Sequence, residues 1–77
     1  GRYDIQLRPR QKGLPGILIE LKAEKNCSDA KLKRLSETAL QQINDRKYET
    51  ELKTAGVQTI YKYGVAFSGK KVEVTAG

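Results

Sequence analysis

The sequence predicts an α/β fold, a four-stranded mixed sheet with chain order β-β-α-(α)-β-β and one main helix packed on one face. Three observations carry this. Four stretches have strand character, either alternating (3–7, 57–67, 71–75) or opening on a continuous apolar run (16–25). Between the second and third of them, Leu32, Leu35, Ala39 and Ile43 recur at helical spacing. The connection through that helix is long enough to return the third strand parallel to the second, whereas the other two connections are turns that make hairpins. At 77 residues the chain allows one domain with a small core, residues 1–77.

In the first strand, Tyr3, Ile5 and Leu7 share one face and Asp4, Gln6 and Arg8 the other. Pro9 ends it, since proline cannot extend the hydrogen-bond ladder, and Arg10 to Gly16 supplies turn residues. The second strand starts apolar on both faces, then places Glu20 and Lys22 on the side of Leu18. A hairpin returning alongside brings Asp4, Glu20 and Lys22 together at one end. Asn26 to Asp29 reads as a helix start with Ser28 or Asp29 as cap. Leu40 widens the core stripe, and Gln42 sits on its shoulder beside Ile43. Gln41 points elsewhere, about 100° around the helix.

Asn44-Asp45 is a break, after which a second helix over Arg46 to Thr54 buries Tyr48 and Leu52; a single long helix bent there is the competing reading. Gly56 permits a left-handed C-cap. The third strand, Val57 to Phe67, carries Gly64 and Ala66 on one face, where the helix is expected to pack closely. Ser68-Gly69-Lys70 is a tight turn into Lys71 to Thr75, and Ala76-Gly77 is expected to fray.

Composition narrows the chemistry. The formal net charge is +6, which favours polyanionic partners, either nucleic acid or an anionic surface; lysine-rich solubility is the plainer reading. Arg8, Arg10 and Lys12 cluster in the first loop as candidate phosphate contacts. With one cysteine and no histidine, neither a disulfide framework nor a zinc site is expected, so any metal is held by oxygen. No apolar stretch approaches the ~18 residues of a membrane span, and a cytoplasmic setting is expected. One sheet face has no element to cover it; further N-terminal helices, a homodimer or strand exchange would each cover it, and a homodimer is the expectation.

Asp4 and Glu20 supply the one or two carboxylates that Mg2+ or Mn2+ takes from a protein, and the backbone carbonyl of Leu21, at a strand edge or splay, is a candidate third ligand. Such an ion polarises a phosphodiester oxygen and activates water. Lys22 is placed to orient that water or offset charge on phosphate, and Gln42 to hold water, Lys22 or substrate. Each residue has a structural reading too: Glu20 and Lys22 as an ion pair worth under ~1 kcal/mol when exposed, Asp4 as a turn cap, Gln42 as helix surface, Tyr48 as a core ring.

Asp4 followed by Glu20-Leu21-Lys22 resembles the PD-(D/E)xK nuclease superfamily. More closely, the chain resembles the nuclease-like domain found C-terminal to bacterial and archaeal AAA-ATPase-like proteins. The blocks that carry this are Gly1-Arg2-Tyr3-Asp4, the ExK of Glu20-Leu21-Lys22, Ala39-Leu40-Gln41-Gln42-Ile43, Tyr48, and Lys62 to Val74 in the pattern KYGxAFxGKxVxV. The tripeptide alone is weak; five blocks in this order are specific.

The resemblance implies a restriction-endonuclease-like core and a metal-dependent nuclease, with a parent protein that carries an AAA-ATPase-like domain; DNA is expected as the substrate ahead of RNA, a preference the motifs themselves do not carry. It also implies Asp4 and Glu20 as metal ligands, Lys22 as the catalytic lysine, Gln42 as the active-site glutamine and Tyr48 as the tyrosine of the RecB-like branch. The family's N-terminal helix and strand have no counterpart in these residues, so the chain reads as part of the complete fold. Two other functions remain in view: a nucleic-acid-binding module that has lost turnover, and a dimerisation remnant.

Overall fold

The computed structural model describes residues 2–45 and 47–77, with the side chains of Arg2, Tyr3 and Asp45 left aside. The elements are β1 (Arg2–Leu7), β2 (Gly16–Ala23), α1 (Asp29–Asp45), α2 (Tyr48–Thr54), β3 (Ile60–Ser68) and β4 (Lys71–Ala76). The strands lie in the order β1-β2-β3-β4, with β2 and β3 parallel and both outer pairs antiparallel. This is the predicted mixed sheet. The parallel pair follows from the crossover through α1 and α2, the outer pairs from their short loops.

Both helices cover one face. Leu18, Ile43 and Leu52 form the larger buried cluster, with Leu40, Tyr48, Val57 and Ile60 packed around it. Each fully buried aliphatic side chain contributes roughly 2 kcal/mol. Cys27, Leu32 and Ala66, with Leu35, make a smaller cluster at the other end of α1. Ser28 caps α1, its Oγ accepting the Lys31 N–H at 3.2 Å. Gly64 lets α1 approach: a Cβ there would lie inside contact of the Ser36 carbonyl oxygen and 2.5 Å from the Leu40 nitrogen. Ser36 is fully buried and shares a 2.7 Å hydrogen bond with Thr75, tying α1 to β4.

Two expectations are corrected, while the expected pair of separate helices forms, the described part of the second running over Tyr48–Thr54; its expected start at Arg46 lies outside the described residues. Its N-cap, Lys47, has φ 60° and breaks the helical path between α1 and α2. β3 begins at Ile60, not Val57, because the Val57 N–H is used at 3.0 Å on the Leu52 carbonyl, closing α2. Gly56, at φ 94°, supplies the left-handed turn that this requires. Finally, the C-terminal residues are held: Ala76 pairs with Tyr63, and the Gly77 N–H donates to the Lys62 carbonyl at 3.0 Å.

The opposite face is bare. Ile5, Leu7, Tyr61, Phe67, Val72 and Val74 are between 38% and 54% exposed there. Ile17, Ile19, Leu21, Tyr63 and Val65 lie half-buried between them. No described side chain that these four strands present on this face is charged.

Candidate active site

Register does most of the work of assembly. Asp4 and Glu20 are direct partners across the antiparallel β1–β2 pair, so both side chains leave the sheet on one face, with Cβ atoms about 5 Å apart. Lys22 follows on the same face of β2, two positions on. Glu20 is fully buried under α1, whereas Asp4, on the edge strand, is exposed. The site is therefore deep at Glu20 and open to solvent at Asp4.

Gln42 of α1 joins the two β2 residues. A carboxylate only accepts and an ammonium only donates, so chemistry sets the amide's orientation. Its nitrogen donates to Glu20 Oε1 at 3.1 Å, and its oxygen accepts from Lys22 Nζ at 3.0 Å. Gln41 is exposed and points away. The Tyr48 hydroxyl donates to Asp4 Oδ2 at 3.0 Å across 44 residues of sequence. Tyr48 packs its ring against the core, as its structural reading expects, and its hydroxyl also reaches the outer carboxylate.

Leu21 is not at a strand edge. It faces Tyr3 on β1 and Val65 on β3, so the edge position expected for its carbonyl is not realised and only a parting of the strands would release it. Arg8 is exposed and sits 3.9 Å from Glu51. Arg10 and Lys12 lie in the exposed β1–β2 loop, away from the carboxylates. The structure thus gathers Asp4, Glu20, Lys22, Gln42 and Tyr48, and leaves Arg8, Arg10 and Lys12 along the flank.

Sequence reading did not find what seats α2. Lys62 Nζ donates to Asn44 Oδ1 at 3.0 Å and Glu49 Oε1 at 3.2 Å, and Lys53 adds a 3.5 Å contact to Glu49. The hydrogen bond from Lys62 is the main reason the Glu49 carboxyl lies below its ordinary pKa, with the charges of Lys62 and Lys53 adding to it. A group with a depressed folded pKa supplies stability above its unfolded pKa and loses it as pH falls through the folded value. Acidification below the ordinary carboxylate range is therefore expected to loosen α2, and with it Tyr48, before the sheet melts. Amide exchange at Glu51 to Ala55 followed from pH 6 to pH 3 checks this; in Glu49→Gln the acid-induced change should disappear. No local pattern marks this cluster, because its members come from α1, α2 and β3.

The donor set can be tested against a metal. Among the described residues no group of three or more His, Cys, Asp or Glu side chains is placed to hold an ion. Two hard carboxylates on facing strands fall short of the six to eight oxygens of calcium, and they match magnesium or manganese, which keep several waters. The residues fit such an ion.

A family model described as the PD-(D/E)XK nuclease superfamily matches residues 1–76. The chain belongs to that superfamily. Searches of curated proteins and of solved structures gave no match. Within this nuclease superfamily a divalent metal is the general cofactor and nucleic acid the general substrate, and the α/β sheet with its helices is consistent with a restriction-endonuclease-like core.

Proposed function

We propose that this chain is a metal-dependent phosphodiesterase that cleaves nucleic acid, DNA in preference to RNA, with Mg2+ or Mn2+ as cofactor. The observation that carries it is the facing pair Asp4 and Glu20 with Lys22 held to Glu20 through Gln42. A carboxylate as deeply buried as Glu20 is costly to folding, and apolar residues usually serve a core better. Its presence beside Leu18 supports a role beyond packing.

In this reading Asp4 and Glu20 hold the ion, and waters complete its coordination. The ion, when bound, supplies Lewis-acid polarisation of the phosphate. Lys22 donates to the Gln42 oxygen and presents its remaining donors to a phosphate oxygen or the attacking water. Gln42 fixes the lysine's direction, since its own amide is anchored on Glu20. Tyr48 spends its proton on Asp4 Oδ2 and so restrains that carboxylate's rotation. Arg8, Arg10 and Lys12 add sequence-blind attraction for the phosphate backbone.

The test is cleavage of labelled linear, nicked and branched DNA, and of single-stranded RNA, with each metal. Metal-dependent cutting supports the proposal. Binding without cutting under every condition would favour the other reading, a nucleic-acid-binding module that keeps the fold without turnover. A separate measurement isolates the ion. Glu20→Gln is expected to abolish Mn2+ binding by calorimetry while leaving the metal-free melting temperature within a few degrees, because it preserves shape and removes a buried charge. Unchanged Mn2+ affinity would rule Glu20 out as a ligand.

The proposal extends to assembly and setting. The uncharged sheet face supports a homodimer, in which two such faces pack as a sandwich about 10 Å apart. Val74→Lys is expected to make the protein monomeric in sedimentation, and an unaltered dimer would reject that interface. The close resemblance supports an AAA-ATPase-like domain in the parent protein. The lone Cys27, which can form no disulfide within the chain, supports a cytoplasmic location.

A further inference from the structure

A cleft lies at the N-terminal end of the parallel strand pair, remote from the carboxylates. One wall is the β1–β2 loop, with Lys12, Gly13 and Leu14; the other is the α2–β3 loop, with Gly56, Gln58 and Thr59. Its volume is about 400 Å³, and a smaller lobe of about 200 Å³ adjoins it and reaches Arg10. Such volumes suit a small polar ligand, for which pockets of ~300–1,000 Å³ are usual.

Its walls have a definite chemistry. Two cations reach it and no described lining residue is acidic. Gly13 (φ 88°) and Gly56 (φ 94°) both line it, and the space beside each is open, with nothing within 4 Å of where a Cβ would sit. Leu14, 49% exposed, offers an apolar surface, and Gln58 an amide that both donates and accepts. A cationic rim, an apolar wall and an amide are what a nucleotide's phosphate, base face and base edge each require.

The cleft is also joined to the active site. α2 runs beside β1: Tyr48 meets Asp4, Glu51 lies by Arg8, and Leu52 packs where Gly16 begins β2. The next turn of chain is Ala55-Gly56, at the cleft. Asp4 to Arg8 spans about 13 Å of extended strand, a distance that roughly two to four nucleotides of single strand cover.

We propose that this cleft is a subsite for a single-stranded segment of the substrate, taking a nucleotide several positions from the scissile phosphate, with Arg10 and Lys12 on its phosphates, Leu14 against its base and Gln58 at its edge. The inference rests on the nuclease reading, and the test separates the two. Anisotropy of end-labelled, cleavage-resistant phosphorothioate oligothymidylates of two to ten nucleotides is measured with Mg2+. The protein's affinity is expected to rise about ten-fold once the strand is long enough to reach the cleft, as one base contact provides. In Lys12→Glu that rise should vanish, so that affinity no longer depends on length. Lys70→Glu, the same charge change on the β3–β4 turn at the opposite end of β3, should keep it. A rise that persists in Lys12→Glu, or a loss of equal factor at every length, overturns the subsite and leaves the nuclease reading intact. Failure of the unmodified protein to bind any length overturns the nuclease reading and the subsite with it.

Discussion

Lys22→Ala is expected to lower metal-dependent cleavage by about 10²- to 10⁴-fold, the range in which a positioned charge or proton donor acts on a transition state. The lysine is half-buried and its Nζ rests 3.0 Å from the Gln42 oxygen, so its direction is set before substrate arrives. Removing it deletes no core contact, and the melting temperature should shift by only a degree or two. Lys22→Arg should not restore the rate, since a planar guanidinium cannot reproduce the compact ammonium beside Gln42. Single-turnover cleavage of one DNA substrate at saturating Mn2+ is the measurement. Rates within three-fold of the unmodified protein would remove Lys22 from the chemistry and, with it, the strongest reason for placing the reaction at this end of the sheet.

Gly64→Ala is expected to cost about 3 kcal/mol or more, at the upper end for overpacking. The added methyl meets backbone, the Ser36 carbonyl and the Leu40 amide, rather than a side chain able to swing aside. Only a shift of α1 relieves that clash. For a domain of this size the melting temperature should fall by roughly 12–24 °C. The damage reaches the site as well, because Gly64 is the β3 partner of Glu20 and α1 carries Gln42 two residues beyond Leu40. Moving α1 off the sheet pulls the amide away from Glu20 and Lys22. Calorimetry of Gly64→Ala gives the first effect. Mn2+ affinity measured at a temperature where the variant is still folded gives the second, with a loss expected. A variant as stable as the parent would mean that α1 does not pack this closely on β3.

Periodicity reported the elements because burial imposes it. Alternation marked the strands, the Leu32–Ile43 spacing marked α1, and the small pair Gly64 and Ala66 anticipated close helix packing. Strand ends were less readable. Val57 looks like a strand residue, but its N–H is drawn to the last turn of α2, a competition decided by a helix end rather than by side-chain pattern. The C-terminal Ala76-Gly77 likewise looked free until a neighbouring strand was in place to accept its hydrogen bonds.

The site divides along the same line. From the sequence alone came the carboxylates Asp4 and Glu20, the lysine Lys22 on the strand face shared with Glu20, and the choice of Gln42 over Gln41, since strand alternation and a helical period fix faces without any knowledge of the rest. The register that sets Asp4 opposite Glu20, the burial that separates an inner from an outer carboxylate, the Tyr48 contact to Asp4 and the Lys62–Glu49 clasp on α2 depended on the tertiary structure. Those contacts join residues from different elements, brought within 3 Å or so only when both helices settle on one face of the sheet. Local spacing determines which way a side chain points; only packing decides what it meets.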